Sequence, residues 1–232
     1  MRSALLIPTL VLAGLPALRA DGLSDLKAAL RALPAREVVR ARVEQDGLER
    51  EGKTETRSHR VTTVEDGPGG LKILQDEGAP APTGGRGSRK GGAPEGGFRQ
   101  QVRAQEELLE TLDKARLLDE RTDTFEGRPA RRLRLALDTG MDEDARKHVQ
   151  SLDQSFVIWL DPQSLPLAMD LRMEVRARAM LFFKVWTRIQ IHRRFQKIKD
   201  RLVALDERAE VQGEALGKAF GGSDSTRCSV LP

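Results

Sequence analysis

The sequence predicts an α+β protein dominated by a long antiparallel sheet, and three observations predict it. First, Met169, Leu171, Met173, Val175, Ala177, Ala179, Leu181, Phe183, Val185, Ile189 and Ile191 all hold odd positions, while Asp170, Arg172, Glu174, Arg176 and Arg178 hold even ones. Side chains alternate between the two faces of a strand, so this run implies two long antiparallel strands with one face in a core and one in water. Second, residues 36–74 are short alternations of Val, Thr and charged residues, punctuated by Gly47, Gly52 and the Asp66-Gly67-Pro68-Gly69-Gly70 cluster, the texture of three hairpin strands. Third, two stretches step at helical spacing: Leu23, Leu26, Leu30 and Leu33, then Phe98, Val102, Gln105, Leu109, Leu112 and Arg116.

Taken in order, the chain begins with Arg2, an apolar run from Ala4 to Leu18 and a small-residue exit at Ala20, which reads as a cleavable signal peptide over residues 1–20. The run is short for a bilayer, and Pro8, Gly14 and Pro16 interrupt it. No cysteine stands near the cleavage site for a lipid anchor, and no second apolar stretch has spanning length. The expectation is therefore an exported, periplasmic protein without a transmembrane segment. The first helix follows, with Asp21 or Ser24 as cap and Pro34 as stop. After the three hairpin strands, residues 77–97 hold no apolar side chain larger than Ala or Pro and predict a flexible loop. The second amphipathic helix comes next, of roughly five turns, then strands at residues 118–125 and 128–137 joined at Glu126-Gly127. Met141, Ala145, Val149 and Leu152 predict a short helix before the long strands. These turn near residues 177–180, and Val203, Leu205, Ala209 and Val211 continue the alternation after Lys199-Asp200. The expected organisation is a leader at 1–20, one domain at 21–212 carrying the loop at 77–97, and a C-terminal tail at 213–232.

Composition excludes several chemistries. Charged residues make up 32% of the chain, yet the formal net charge is only +4, and Arg2 and Arg19 would leave with the leader. So balanced a surface argues against nucleic acid as partner. Three histidines (His59, His148, His192) and one cysteine (Cys228) lack metal-ligand spacing, so neither a metal nor a cofactor is expected. Residues 47–54, Gly-Leu-Glu-Arg-Glu-Gly-Lys-Thr, match the Walker A pattern, and residues 156–161 end in an Asp like a Walker B strand. A phosphate loop must open a helix, whereas Thr54 is followed by strand formers and Asp66 to Gly70 would end any helix. A hairpin is expected there instead. Gly221-Gly222-Ser223-Asp224-Ser225 lacks the second glycine of a nucleophile elbow. No catalytic residue is assigned, and the protein is expected not to be an enzyme.

Phe125-Glu126-Gly127-Arg128-Pro129-Ala130-Arg131-Arg132-Leu133-Arg134-Leu135, and Val157-Ile158-Trp159-Leu160-Asp161-Pro162 running on to Leu165-Pro166-Leu167, resemble signatures of the periplasmic outer-membrane lipoprotein carrier and receptor superfamily. The order of elements resembles that group over most of residues 22–212. The resemblance implies a strongly curved antiparallel β half-barrel with helices packed on the concave side, which binds acyl chains or lipoprotein tails without catalysis. The loop at 77–97 and the 141–152 segment depart from the group.

The odd-numbered stripe reads either as ordinary core or as the wall of an apolar cavity, whose soft Met and Phe lining suits varied ligands. On the second reading Leu171, Met173, Val175, Phe183, Val185, Ile189 and Ile191 line the cavity, and Leu109 and Leu112 form a helical plug. The expected function is binding of an apolar ligand (an acyl chain, lipid or lipoprotein tail) in outer-membrane lipoprotein or lipid handling. The alternative is an envelope regulatory or scaffold module that binds a protein partner, with the stripe as plain core.

Overall fold

The computed structural model describes residues 21–78, 96–138, 140–141, 143–179 and 183–232. Residues 1–20, expected as a leader, most of the 77–97 loop, and residues 180–182, which include the end of the turn expected near 177–180, fall outside these. The first helix is α1 (Gly22–Arg31), whose Asp21 carboxylate accepts a hydrogen bond from the Ser24 amide at 2.8 Å. That bond satisfies one of the free amides that begin any helix. Leu23, Leu26 and Leu30 are buried on one side.

The hairpin strands are β1 (Val39–Glu51), β2 (Thr54–Gly67) and β3 (Gly70–Gly78). The Walker-like residues 47–54 are the end of β1, the turn at Gly52 and Lys53, and the first residue of β2, with Glu51 opposite Thr54. Gly52 has φ +59, the left-handed backbone that a tight hairpin demands.

The expected five-turn helix is two helices, α2 (Gly96–Val102) and α3 (Ala104–Asp113). The break is Arg103, with φ −118 and ψ 35. Its guanidinium reaches Asp66 on β2 at 2.6 Å, a charge-assisted contact that outweighs the one helical turn it costs.

Strands β4 (Ala115–Phe125) and β5 (Arg128–Leu137) meet at Glu126 and Gly127, both of positive φ. Only a short α4 (Glu143–His148) follows. The helix expected to run through Val149 and Leu152 stops there, because both residues join β6 (Val149–Leu160) and pair with Ala177 and Val175. The long partner strand overrides a weak local helical signal. β7 (Pro166–Ala179) and β8 (Phe183–Ile198) are the predicted long pair, with Leu171 opposite Ile191, and β9 (Arg201–Ala215) continues the meander.

The stretch from Gly213, read as a tail, finishes β9 and forms β10 (Lys218–Leu231), which lies between β1 and β9. All ten strands make one open antiparallel sheet in the order β3-β2-β1-β10-β9-β8-β7-β6-β5-β4. The two edges are thus β3 and β4, and the chain between them crosses the sheet by way of α2 and α3.

Two apolar clusters hold the helices to one face. Leu26 and Leu30 of α1 and Leu108 and Leu112 of α3 pack on Leu133, Leu135, Phe156, Ile158 and Phe195. Phe98 and Val102 of α2 pack on Ala41, Val43, Val64, Val203 and Cys228. Each fully buried Leu or Phe contributes about 1.5–3 kcal/mol of hydrophobic stabilisation. The sheet is therefore mostly antiparallel strand with few helices, as expected, and the helices cover only part of one face.

Candidate ligand site

The predicted lining residues divide into two groups. Leu112 is sealed in the core, while Leu109, Leu171 and Ile191 are partly buried against the same cluster. Met173, Val175, Val185 and Ile189 lie on the same face of β7 and β8 but belong to neither cluster, and each is half-buried. Phe183 opens β8, and its side chain is outside the described residues.

Cross-strand register carries this apolar surface further. Met173 stands opposite Ile189, which stands opposite Val211, and Val175 stands opposite Leu152, which is 37% exposed. The strands run on past α1, α2 and α3, so the alternation that fills the core continues into a half-open apolar surface.

A cavity of about 770 Å³ lies elsewhere. It is lined by triplets from six consecutive strands: residues 57–59, 46–48, 223–225, 208–210, 190–192 and 170–172. Leu171 and Ile191, the middle residues on β7 and β8, face the helix-side core, so by alternation the outer members of those triplets point to the opposite face. Register extends the same parity across the sheet and defines a cross-strand channel between two rows of mostly polar side chains. One row holds a His–Asp contact near each end: His192 Nδ1 to Asp170 Oδ1 at 2.6 Å and His59 Nδ1 to Asp46 Oδ1 at 2.7 Å. The partners are 22 and 13 residues apart in sequence, and only the strand register brings them together. Neither pair has a nucleophile hydrogen-bonded to its imidazole. Beside the channel Glu174 bonds Arg188 and Arg176, in that order the causes that hold its carboxyl below the usual carboxylate range.

A smaller chamber of about 290 Å³ sits between α2 and the helix-side face, lined in part by Ser58, Arg60, Gln101, Glu207, Asp224 and Thr226. Glu207 bonds buried Arg193 at 2.7 Å, and Arg193 also reaches Glu107 of α3 at 2.8 Å. Gln101 is 2% exposed, and its Oε1 accepts no hydrogen bond. Sequence reasoning missed this chamber because α2, β2, β9 and β10 meet there only once β10 is placed in the middle of the sheet.

Among the described residues, no group of three His, Cys, Asp or Glu side chains could hold a metal ion. No described helix is long and apolar enough to cross a membrane.

Comparison with known proteins is sparse. No family model matches the chain, and no curated protein matches it. Among solved structures, a DUF1329 family protein from Desulfovibrio piger matches at 15% identity over 90% of each chain, with a TM-score of 0.39. That likeness is too slight to carry a function across, and the comparisons do not name the lipoprotein carriers.

Proposed function

We propose that this chain is a non-enzymatic periplasmic binding protein that holds an apolar ligand, an acyl chain or lipid, against the helix-bearing face of its sheet. The observation that carries the reading is the surface of Met173, Val175, Val185 and Ile189, half-buried, continuous with the core and beyond the two clusters under the helices. A contiguous, partly exposed apolar patch on an otherwise charged protein marks a place where something binds. The leader-like residues 1–20 and the resemblance at residues 125–135 and 157–167 support an envelope role in lipid or lipoprotein handling.

The test is extraction and replacement. Purified protein extracted with organic solvent should release a stoichiometric lipid, and the stripped protein should take up a neutral environment-sensitive dye. Val175→Glu should abolish dye uptake, while Arg172→Ala, on the opposite face, should leave it intact. Loss of uptake in both variants or in neither, with no lipid extracted, would turn the reading toward a protein-binding scaffold.

A further inference from the structure

The chamber beneath α2 and the apolar surface share one face of the sheet and adjoin. Asp224 stands opposite Ala209, which stands opposite Ile191. Two residues along the same strands, Gly222, Val211 and Ile189 line up with Met173. Two residues of strand advance about 7 Å and one strand spacing adds about 4.8 Å sideways, so the backbone of Asp224 lies roughly 8 Å from that of Val211, the first residue of this apolar row.

The chamber is built for a hydrogen-bond donor. Asp224 makes no ion pair among the described residues, and Glu49 on the same face makes none either. Arg60, the cation among the lining residues, is taken by Asp76 in a two-pronged contact of 2.8 and 2.5 Å. Buried Gln101 lines the same space with an amide oxygen that has no donor. Gly47 keeps the gap between Asp224 and Ser58 open: a Cβ there would stand 3.0 Å from Asp224 Oδ1 and 2.5 Å from Ser58 Oγ. Carboxylate, hydroxyl and amide oxygen are acceptors that a three-donor ammonium group can satisfy together. Partial burial, then the charges of Glu207 and Glu49, raise the Asp224 pKa, so the site disfavours an added negative charge.

Resting on the apolar-ligand reading above, we propose that the ligand is a cationic-headed amphiphile, its ammonium group seated between Asp224, Ser58 and Gln101 and its chain lying along Val211, Ile189 and Met173. The assignment concerns the head group, so the test varies the head and holds the chain constant. Decylammonium, decanol and decanoate compete at neutral pH against the neutral dye N-phenyl-1-naphthylamine bound to the full chain. Decylammonium should displace the dye at about a tenth of the decanol concentration, a preference worth ~1.4 kcal/mol, with decanoate weakest. Asp224→Asn should erase that preference while leaving decanol unchanged, and Gly47→Ala, which fills the gap, should weaken decylammonium alone. Equal displacement by all three, or a preference that survives Asp224→Asn, overturns the head assignment and leaves the apolar reading standing. Failure of the dye itself to bind overturns both.

Discussion

Arg103, at the break between α2 and α3, places its Nη2 2.6 Å from Asp66 Oδ1 on β2, while Arg201 at the start of β9 binds the other oxygen of the same carboxylate. Three distant segments of chain thus converge on one group. Asp66 and Arg201 are almost wholly buried, at 4% and 3% side-chain exposure, and Arg201 also donates to the carbonyls of Ala35 and Glu37 at 2.9 and 2.6 Å. The Asp66 contact is the leading cause that raises the Arg103 pKa above its ordinary value. Removing one member of a buried pair strands the other charge, at a cost of about 3–5 kcal/mol. Asp66→Asn should therefore lower urea-unfolding stability by that amount. A loss under about 1 kcal/mol would show that the cluster behaves like a surface pair.

Glu174 provides the contrast. It meets Arg188 and Arg176 at 2.8 Å each, but on the water-facing side of β7 and β8. Solvent and salt screen such contacts. Glu174→Gln should leave the unfolding midpoint unchanged in 0.15 M salt, and a shift comparable to that of Asp66→Asn would refute the distinction.

The sheet was legible wherever local pattern decides structure. The odd-numbered stripe placed β7 and β8 because both faces are read directly from alternation, and Gly52 and Glu126-Gly127 marked their hairpins because tight turns demand positive φ. Where a distant partner decides, the pattern failed. The Gly- and Ser-rich β10 has little alternation of its own and exists because β1 and β9 supply hydrogen bonds on both sides. Arg103 breaks a helix that periodicity alone would continue, since Asp66 lies 37 residues away. The candidate site follows the same division. Met173, Val175, Val185 and Ile189 were visible as a stripe, whereas Asp224 and Gln101 come together only through β10 and the crossing of α2.

Asp224 also yields a pH signature. Its folded-state pKa is raised, by partial burial first and by Glu207 and Glu49 next, so the fold disfavours the carboxylate. The destabilisation is complete above the folded pKa and disappears below the unfolded value of about 3.9. Asp224→Asn should therefore melt above wild type at pH 7, and the gap should close as pH falls through the carboxyl titration. Scanning calorimetry across that range checks the sign, and a variant that melts lower at pH 7 would refute it. Arg60, which lines the same space, and Arg193, which pairs with Glu207, remain charged throughout, so the change in the gap belongs to the carboxyls.

The Walker-like stretch should be silent toward nucleotides. Gly47 is paired with Ser58 and Asp224 in the middle of three strands, and Lys53 sits in a turn with β2 beginning at the next residue. The backbone amides that would cradle a phosphate are committed to strand pairing rather than gathered at a helix start. Labelled ATP with magnesium should not be retained in equilibrium dialysis by wild type, and Lys53→Ala should behave identically. Saturable binding lost in Lys53→Ala would overturn the hairpin account.

Cys228 reports on the central seam of the sheet. It lies on β10 opposite Val43, is 5% exposed, and packs with Val64, Phe98 and Val102. Burial, helped by Asp206, pushes its pKa up to about 12. The thiolate is the reacting species, so a rise of that size from an ordinary thiol cuts its population near pH 8 by about three orders of magnitude. Exclusion of the reagent by the packed strands slows reaction further. A chromogenic disulfide reagent should thus label native protein at least ~1000-fold more slowly than urea-unfolded protein. The labelling rate should then follow the global unfolding equilibrium as denaturant rises, because β10 cannot open without breaking its pairing to both β1 and β9. Asp66→Asn, which unpins the helices without touching β10, should speed labelling by the same factor by which it raises the unfolding constant. Rapid labelling of the native protein would mean that β10 detaches on its own, and β1 and β9 would then be bridged by a strand that exchanges rather than one that locks.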